Sequence, residues 1–198
     1  MKKNILTILA ILGVLTVLSI FLFGGIYNKL VSAEEAVTNA WAQVENVYRR
    51  RMDLIPNLIE TVRGYVAHER ETLDRLSQAR TKAAQIILSP AMANDPVLFS
   101  QFQQTQDHLS VSLGRLTALF ERYPELRASQ NFLTLQAQLE SAENRISVER
   151  MRYNDAAKQF NALRQSIPNV FVARWMGMNE KSYFKAEAEA EKAPQIAL

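Results

Sequence analysis

The sequence predicts an all-α protein, with an N-terminal transmembrane helix followed by a long antiparallel bundle of three to four helices. Three observations carry that prediction. The nineteen residues from Ile5 to Phe23, ILTILAILGVLTVLSIFLF, contain no charge. Apolar residues then recur at alternating intervals of four and three over most of the chain, the period of helices packed along a seam. Glycines and prolines number only six each, and no strand-like alternation lies between turn signals. The expected organisation is an anchor at 1–26, a bundle at 27–178 and an Ala/Glu-rich peripheral tail at 179–198.

As a helix, the apolar run spans roughly 28 Å, close to the bilayer's hydrocarbon thickness of about 30 Å. A cleaved signal peptide is the competing reading, with Val31-Ser32-Ala33 as its processing site. Signal cores usually hold about 7–15 apolar residues, and this site lies well beyond the run, so an uncleaved anchor is expected. Lys2 and Lys3 precede the run and only Lys29 follows it closely. The positive-inside rule then places the N-terminus in the cytoplasm and the bulk of the chain outside it. Gly24-Gly25 is expected to end the span, Tyr27 to sit at headgroup level, and a new helix to begin near Asn28 or Ser32.

The stretch from Val37 to Ile87 reads as one long helix, on the order of 75 Å. Val37, Val44, Leu58, Tyr65, Ala79 and Ile86 form one row of its seam; Trp41, Tyr48, Ile55, Val62, Leu76 and Ala83 form the other. Arg51, Glu69 and Thr72 interrupt it. Pro56 lacks an N–H and crowds the carbonyl four residues earlier, which predicts a kink; a break with Asp53 capping a new helix is the alternative.

SPAMANDP, at 89–96, reads as a loop in which Asp95 caps a helix with Pro96 in its first position. The second helix carries Phe99, Phe102, Leu109, Leu113, Leu116, Phe120 and Tyr123 on one seam until Pro124 interrupts it. A third starts at Ser129 or Asn131 and ends before Pro168, with Phe132, Leu135, Leu139, Ala142, Ile146, Tyr153, Ala157, Phe160 and Ile167 inward. Short connections predict antiparallel neighbours. Residues 168–178, PNVFVARWMGM, either cap the open end of the bundle or lie on lipid headgroups with Trp175 inserted; the cap is preferred because the stretch is poor in Lys and Arg.

Charge excludes one class of partner. The sequence pI is about 9.2, but apart from Lys2 and Lys3 the chain sets 21 basic residues against 20 acidic ones. They are interspersed rather than gathered into the basic stripe that nucleic acid requires. With no cysteine, disulfide and thiolate chemistry are also excluded.

Catalytic and metal patterns fail on residue identity. His68-Glu69 opens like H-E-x-x-H, but position 72 is Thr; the residues three before His68 and His108 are Tyr65 and Thr105 rather than the Glu of a di-iron bundle. No nucleophile motif or glycine-rich phosphate loop occurs, so no metal, cofactor or small-molecule substrate is expected. Glu69, Glu121, Glu143, Arg51, Arg80 and Arg150 lie on or beside the seams and are read as interhelical pairs that fix register. Glu45 with Arg49, and Glu71 with Arg75, are spaced to support exposed helix.

Taken together, these stretches resemble the LemA family of bacterial membrane-anchored helical proteins. The matching residues are YNKLV at 27–31, Trp41, RRMDLIPNLIETVRGY at 50–65, HE at 68–69, Ala79-Arg80, ERYPEL at 121–126, Phe132, Leu135, Leu139, Glu143, RMRYN at 150–154, Asn161, Pro168 and Phe184. The chain departs from the pattern at its end, Pro194 to Leu198. The resemblance implies an anchored antiparallel bundle in the bacterial inner membrane, without an established catalytic activity, and in the company of membrane proteins, membrane proteases among them.

The functional expectation is a non-catalytic, membrane-tethered scaffold that contacts the lipid bilayer and self-associates or binds other membrane proteins. A ligand-sensing bundle, with a pocket near Pro56 lined by Tyr65 and His68, is the alternative. Arg50, Arg51, Asp53, Pro56, Asn57, Glu69, Tyr123, Pro124, Arg150, Tyr153 and Asn154 are the candidate register, kink and turn determinants that double as a partner face.

Overall fold

A computed structural model describes residues 2–66, 69–86 and 89–185. His68 and the Ala/Glu-rich stretch from 186 onward, Pro194 to Leu198 included, lie outside the described residues. The main helices are α1 (Lys2–Arg63), α2 (Arg70–Gln85), α3 (Pro96–Phe120) and α5 (Gln130–Gln165), with short α4 (Pro124–Arg127) and α6 (Asn169–Trp175). No strand occurs among the described residues.

The expected pause at Gly24-Gly25 does not occur. α1 runs unbroken through both glycines and through Pro56, for 62 residues and roughly 93 Å. The apolar segment and the bundle therefore share one rod. From Leu9 to Phe23 the apolar segment is exposed, as in Val14 and Phe21, whereas Leu30 is the first fully buried core residue after it.

The second correction concerns the far end of that rod. The seam that begins at Val37 belongs to two helices, because α1 stops at Arg63 and α2 starts at Arg70. Gly64 weakens the helix there, and Tyr65 and Val66 both donate to the carbonyl of Val62 as the chain turns. Tyr65, expected inside, is exposed, and Val66 is buried in its place. α2 returns along α1, so the long helices run up, down, up and down.

The third helix also ends earlier than its seam. α5 stops at Gln165, and Ile167, expected inward, is 82% exposed beside a cis peptide bond to Pro168. Asp95 caps α3 as anticipated: its Oδ1 accepts from the amides of Val97 at 2.9 Å and Leu98 at 3.1 Å.

Two apolar cores result. The one nearer the anchor gathers around Trp41, which is ringed by Phe99, Phe102, Tyr153 and Phe184 at centroid distances of 5.5–6.2 Å. The distal core holds Ile55, Leu58, Val62, Leu76, Leu109, Leu116, Phe120 and Phe132. Glu45–Arg49 and Glu71–Arg75 close on the outside as helix-surface pairs.

α6 caps the anchor-side core with Val172 and Ala173. Gly177, at φ +68°, ends it in a Schellman turn: its amide donates to Arg174, and that of Met178 to Ala173 at 3.0 Å. That turn sends the chain back along the bundle. Residues 179–185, expected as the start of a peripheral tail, instead form a packed strap with Lys181 and Phe184 buried.

Candidate functional site

Arg51 lies between the two cores and is 1% exposed. Its neighbours on α1, Tyr48 and Ile55, belong to opposite cores. A guanidinium at this position must be bonded, because an unpaired buried charge costs several kcal/mol. Nη2 donates to Gln106 Oε1 at 2.6 Å; Nη1 donates to Ser110 Oγ and to Glu143 Oε2, each at 2.8 Å. Three helices thus meet on one side chain, since Gln106 and Ser110 lie on α3 and Glu143 on α5.

One turn nearer the anchor, Arg150 repeats the arrangement. It donates to the Tyr48 hydroxyl at 2.7 Å and to Asp107 at 3.3 Å. Its guanidinium also lies over the Phe184 ring at 5.0 Å. Burial pushes the Tyr48 hydroxyl above its usual pKa, although Arg150 and Arg51 oppose the shift. Arg150 is held above its ordinary value, its desolvation outweighed by Tyr48 and Asp107 together. Neither group changes protonation near neutrality, so this pair can position helices but offers no general acid or base there.

The strap is held by amide side chains. Asn161 donates to the Lys181 carbonyl and accepts from its amide, both at 2.9 Å. Asn154 does the same for Phe184, at 3.0 and 2.9 Å, and Gln103 for Lys185, at 3.1 and 3.2 Å. Tyr153 adds a bond from its hydroxyl to the Ser182 carbonyl. The backbone of residues 181, 182, 184 and 185 is bonded here without a neighbouring strand. The Lys181 side chain, 5% exposed, reaches Glu34 at 2.5 Å and Asn94 at 2.7 Å and lies over Phe160. It ties the strap to α1.

The candidate residues divide into three groups. Arg51, Arg150, Tyr153 and Asn154 are bundle interior or strap clamps. Arg50, Asp53, Pro56 and Asn57 lie exposed on α1; Arg50, Asp53 and Asn57 share one helical face by their spacing. Glu69 and Tyr123 meet at the distal end, where the tyrosine hydroxyl donates to Glu69 at 3.4 Å and Pro124 starts α4. Register pairing was expected for Arg51, Arg150 and Glu143, and the structure places all three in it. Arg80 binds a carbonyl instead, and Glu121 is exposed.

Sequence reasoning passed over Lys181, Gln103 and Gln106, and gave Asn161 no role. A signal for part of this existed: Asn154 and Asn161 are seven residues apart, each following a seam aromatic, Tyr153 and Phe160. Among the described residues no three metal-ligating side chains gather, and His108 is exposed. The pocket considered near Pro56 falls at an exposed position, with Tyr65 exposed and His68 outside the described residues. Open grooves instead run along α5, one of about 580 Å³ past Glu143, Arg150 and Asn154.

Comparison with known proteins identifies the family. Residues 40–198 match the model of the LemA family. The chain is 25% identical over 166 residues to Protein LemA of Metamycoplasma hominis, covering 84% of this chain and 72% of that protein. It is 24% identical over 207 residues to Magnetosome protein MamQ 2 of Paramagnetospirillum magneticum, covering 96% and 75%. Magnetosome protein MamQ of Magnetospirillum gryphiswaldense is 22% identical over 195 residues, covering 86% and 70%. A helical bundle that matches the family model over residues 40–198 belongs to the LemA family, and the chain is a membrane-associated protein of that type.

Proposed function

We propose that this chain is a non-catalytic scaffold, tethered in the bacterial inner membrane by residues 1–26, that presents a helical rod to copies of itself or to other membrane proteins. The N-terminus lies in the cytoplasm and the bundle outside it, on the strength of Lys2 and Lys3 before the span. The observation that carries the reading is the continuity of α1 from the apolar segment into the bundle. A rod without a hinge holds its outer faces at fixed heights and headings above the bilayer, which is what a docking surface needs. The exposed stripe of Arg50, Asp53 and Asn57 lies beside a groove formed by Arg50, Gln130, Leu133 and Thr134 and supplies one such face. Confinement to one membrane plane raises the effective concentration of partners and lets weak contacts suffice.

The test uses the absence of cysteine. Asn57→Cys in the full chain, crosslinked in native membranes, is expected to trap a second copy or another membrane protein, membrane proteases included. A strictly monomeric species in mild detergent, with nothing captured by the crosslinker, overturns the scaffold reading. Orientation is checked separately, because protease added to intact spheroplasts should degrade the bundle and spare the N-terminus.

A further inference from the structure

We propose that α6 is a second membrane contact, whose outer face seats the base of the bundle in the interfacial layer of an anionic bilayer. Ile167, Phe171 and Trp175 are spaced four apart and are 82%, 66% and 76% exposed. Val172 and Ala173, on the opposite side, are buried in the anchor-side core. A seven-residue helix with its large apolar side chains turned outward pays no folding role through them. What stands opposite that face is fixed by one contact: the Trp175 ring lies edge-on to Phe23, 5.5 Å between centroids.

Phe23 closes the apolar run, which Gly24-Gly25 follows. When that run spans the hydrocarbon, Phe23 marks its boundary with the headgroups, and a ring packed on Phe23 must sit at the same depth. Tryptophan is the residue most suited to that layer, with an apolar body and one N–H for the wet side. α6 is therefore the point at which the bundle meets the membrane again, continuous with the anchor itself.

Charge selects the lipid. From Ala156 to Asn179 the chain contains no Asp or Glu, whereas Lys158, Arg164 and Arg174 fall within it. Arg174 is exposed beside Trp175. A cation flanking an inserted aromatic favours anionic headgroups. The sequence alone made the headgroup reading and the core-cap reading alternatives; the two faces of α6 do both.

The proposal rests on the anchor reading, and the experiment separates them. Full-length protein is reconstituted in vesicles of phosphatidylcholine, with or without phosphatidylglycerol, that carry a nitroxide high on the acyl chain. Of the two tryptophans, Trp41 is fully buried and Trp175 is 76% exposed. Roughly half of the emission should be quenched by the lipid nitroxide, little by aqueous iodide, and the lipid-quenched part should vanish in Trp175→Phe. Quenching should be stronger with phosphatidylglycerol present; equal quenching overturns the anionic preference. Phe171→Cys bearing a spin label should be more accessible to oxygen than to a nickel chelate. Iodide quenching without lipid quenching overturns the proposal, as does a Trp175 shielded from both, which would mean that protein covers it. If the protein resists carbonate extraction in either case, the anchor stands and the role of α6 alone has failed.

Discussion

Arg80 of α2 donates from Nε to the carbonyl oxygen of Met52 on α1 at 3.1 Å. Met52 is the residue four before Pro56, so its carbonyl is the acceptor that proline, lacking an N–H, leaves free. A helix tolerates an interior proline when the orphaned carbonyl finds another donor. Here the donor comes from the next helix, and the defect in α1 becomes a bond between α1 and α2. This accounts for a proline inside an unbroken helix and for an arginine on the inner side of α2.

That relationship predicts a coupling. Arg80→Ala should destabilise the bundle by about 1 kcal/mol, the usual net worth of one hydrogen bond. In a Pro56→Ala background, residue 56 supplies its own N–H to Met52, and the same Arg80 substitution should cost much less. Urea unfolding of the full chain in mild detergent, followed by far-UV circular dichroism, measures all four variants. Strict additivity would falsify the assignment.

The layer around Arg51 makes a different prediction. Glu143→Ala leaves a buried guanidinium with only Gln106 and Ser110, at a cost of about 1.5–3 kcal/mol. Arg51→Met combined with Gln106→Leu removes the charge and its buried amide together, joining the two apolar cores. Arg51 Nε and Gln106 Nε2 have no hydrogen-bond partner among the described residues, so that pair of substitutions should cost less than Glu143→Ala. The same unfolding experiment ranks them, and the reverse order would show the layer to be a source of stability rather than of register.

How far the sequence could be read follows from these residues. Heptad spacing found Trp41, Tyr48, Ile55 and Val62, all fully buried, because burial on one helix is a local, periodic property. The same periodicity concealed the end of α1 at Arg63, since Val62 and Leu76 stay in phase across the break by arithmetic alone. Gly64 and the polar interruptions at Glu69 and Thr72 were the only marks of it. At Gly24-Gly25 the opposite error arose: glycine lowers helix propensity, but by about 1 kcal/mol, too little to break a rod continued on both sides. Candidate residues were found on the long helices and missed on the strap. Lys181 and Phe184 are buried through contacts with residues twenty or more positions away, which no local pattern encodes.

The buried tyrosines predict alkaline sensitivity. Burial raises the hydroxyl pKa of Tyr153, with Tyr183 adding to the effect, and that of Tyr48 likewise. A folded-state pKa above the unfolded value of about 10 means that the stabilising contribution is complete below that pH. Above it the unfolded chain ionises first, and each such tyrosine should lower stability by about 1.4 kcal/mol per pH unit until its own folded pKa is reached. Unfolding midpoints measured from pH 8 to pH 11 should fall beyond about pH 10, and Tyr153→Phe should flatten the decline. An unchanged slope in that variant would remove Tyr153 as its cause.

The clamp on the strap gives the most local test. Asn161 is 4% exposed and makes both of its bonds to Lys181 with the backbone. Asn161→Ala leaves a buried N–H and a buried C=O unpaired, each costing about 1–3 kcal/mol. Asn154 and Gln103 still hold residues 184 and 185, and Tyr153 still holds Ser182, so the damage should stay within one stretch of the strap. Trypsin reports on it directly: the bond after Lys181 is protected in the native protein, because the side chain is enclosed by Glu34, Asn94 and Phe160. Limited digestion of the variant should cut there at concentrations that leave the native chain intact, while far-UV circular dichroism keeps its helical amplitude. A variant in which α5 melts together with the strap would instead make Asn161 a determinant of the whole bundle. Glu34→Gln separates these outcomes from loss of the side-chain tether, since it weakens the hold on the Lys181 ammonium and leaves both backbone bonds in place.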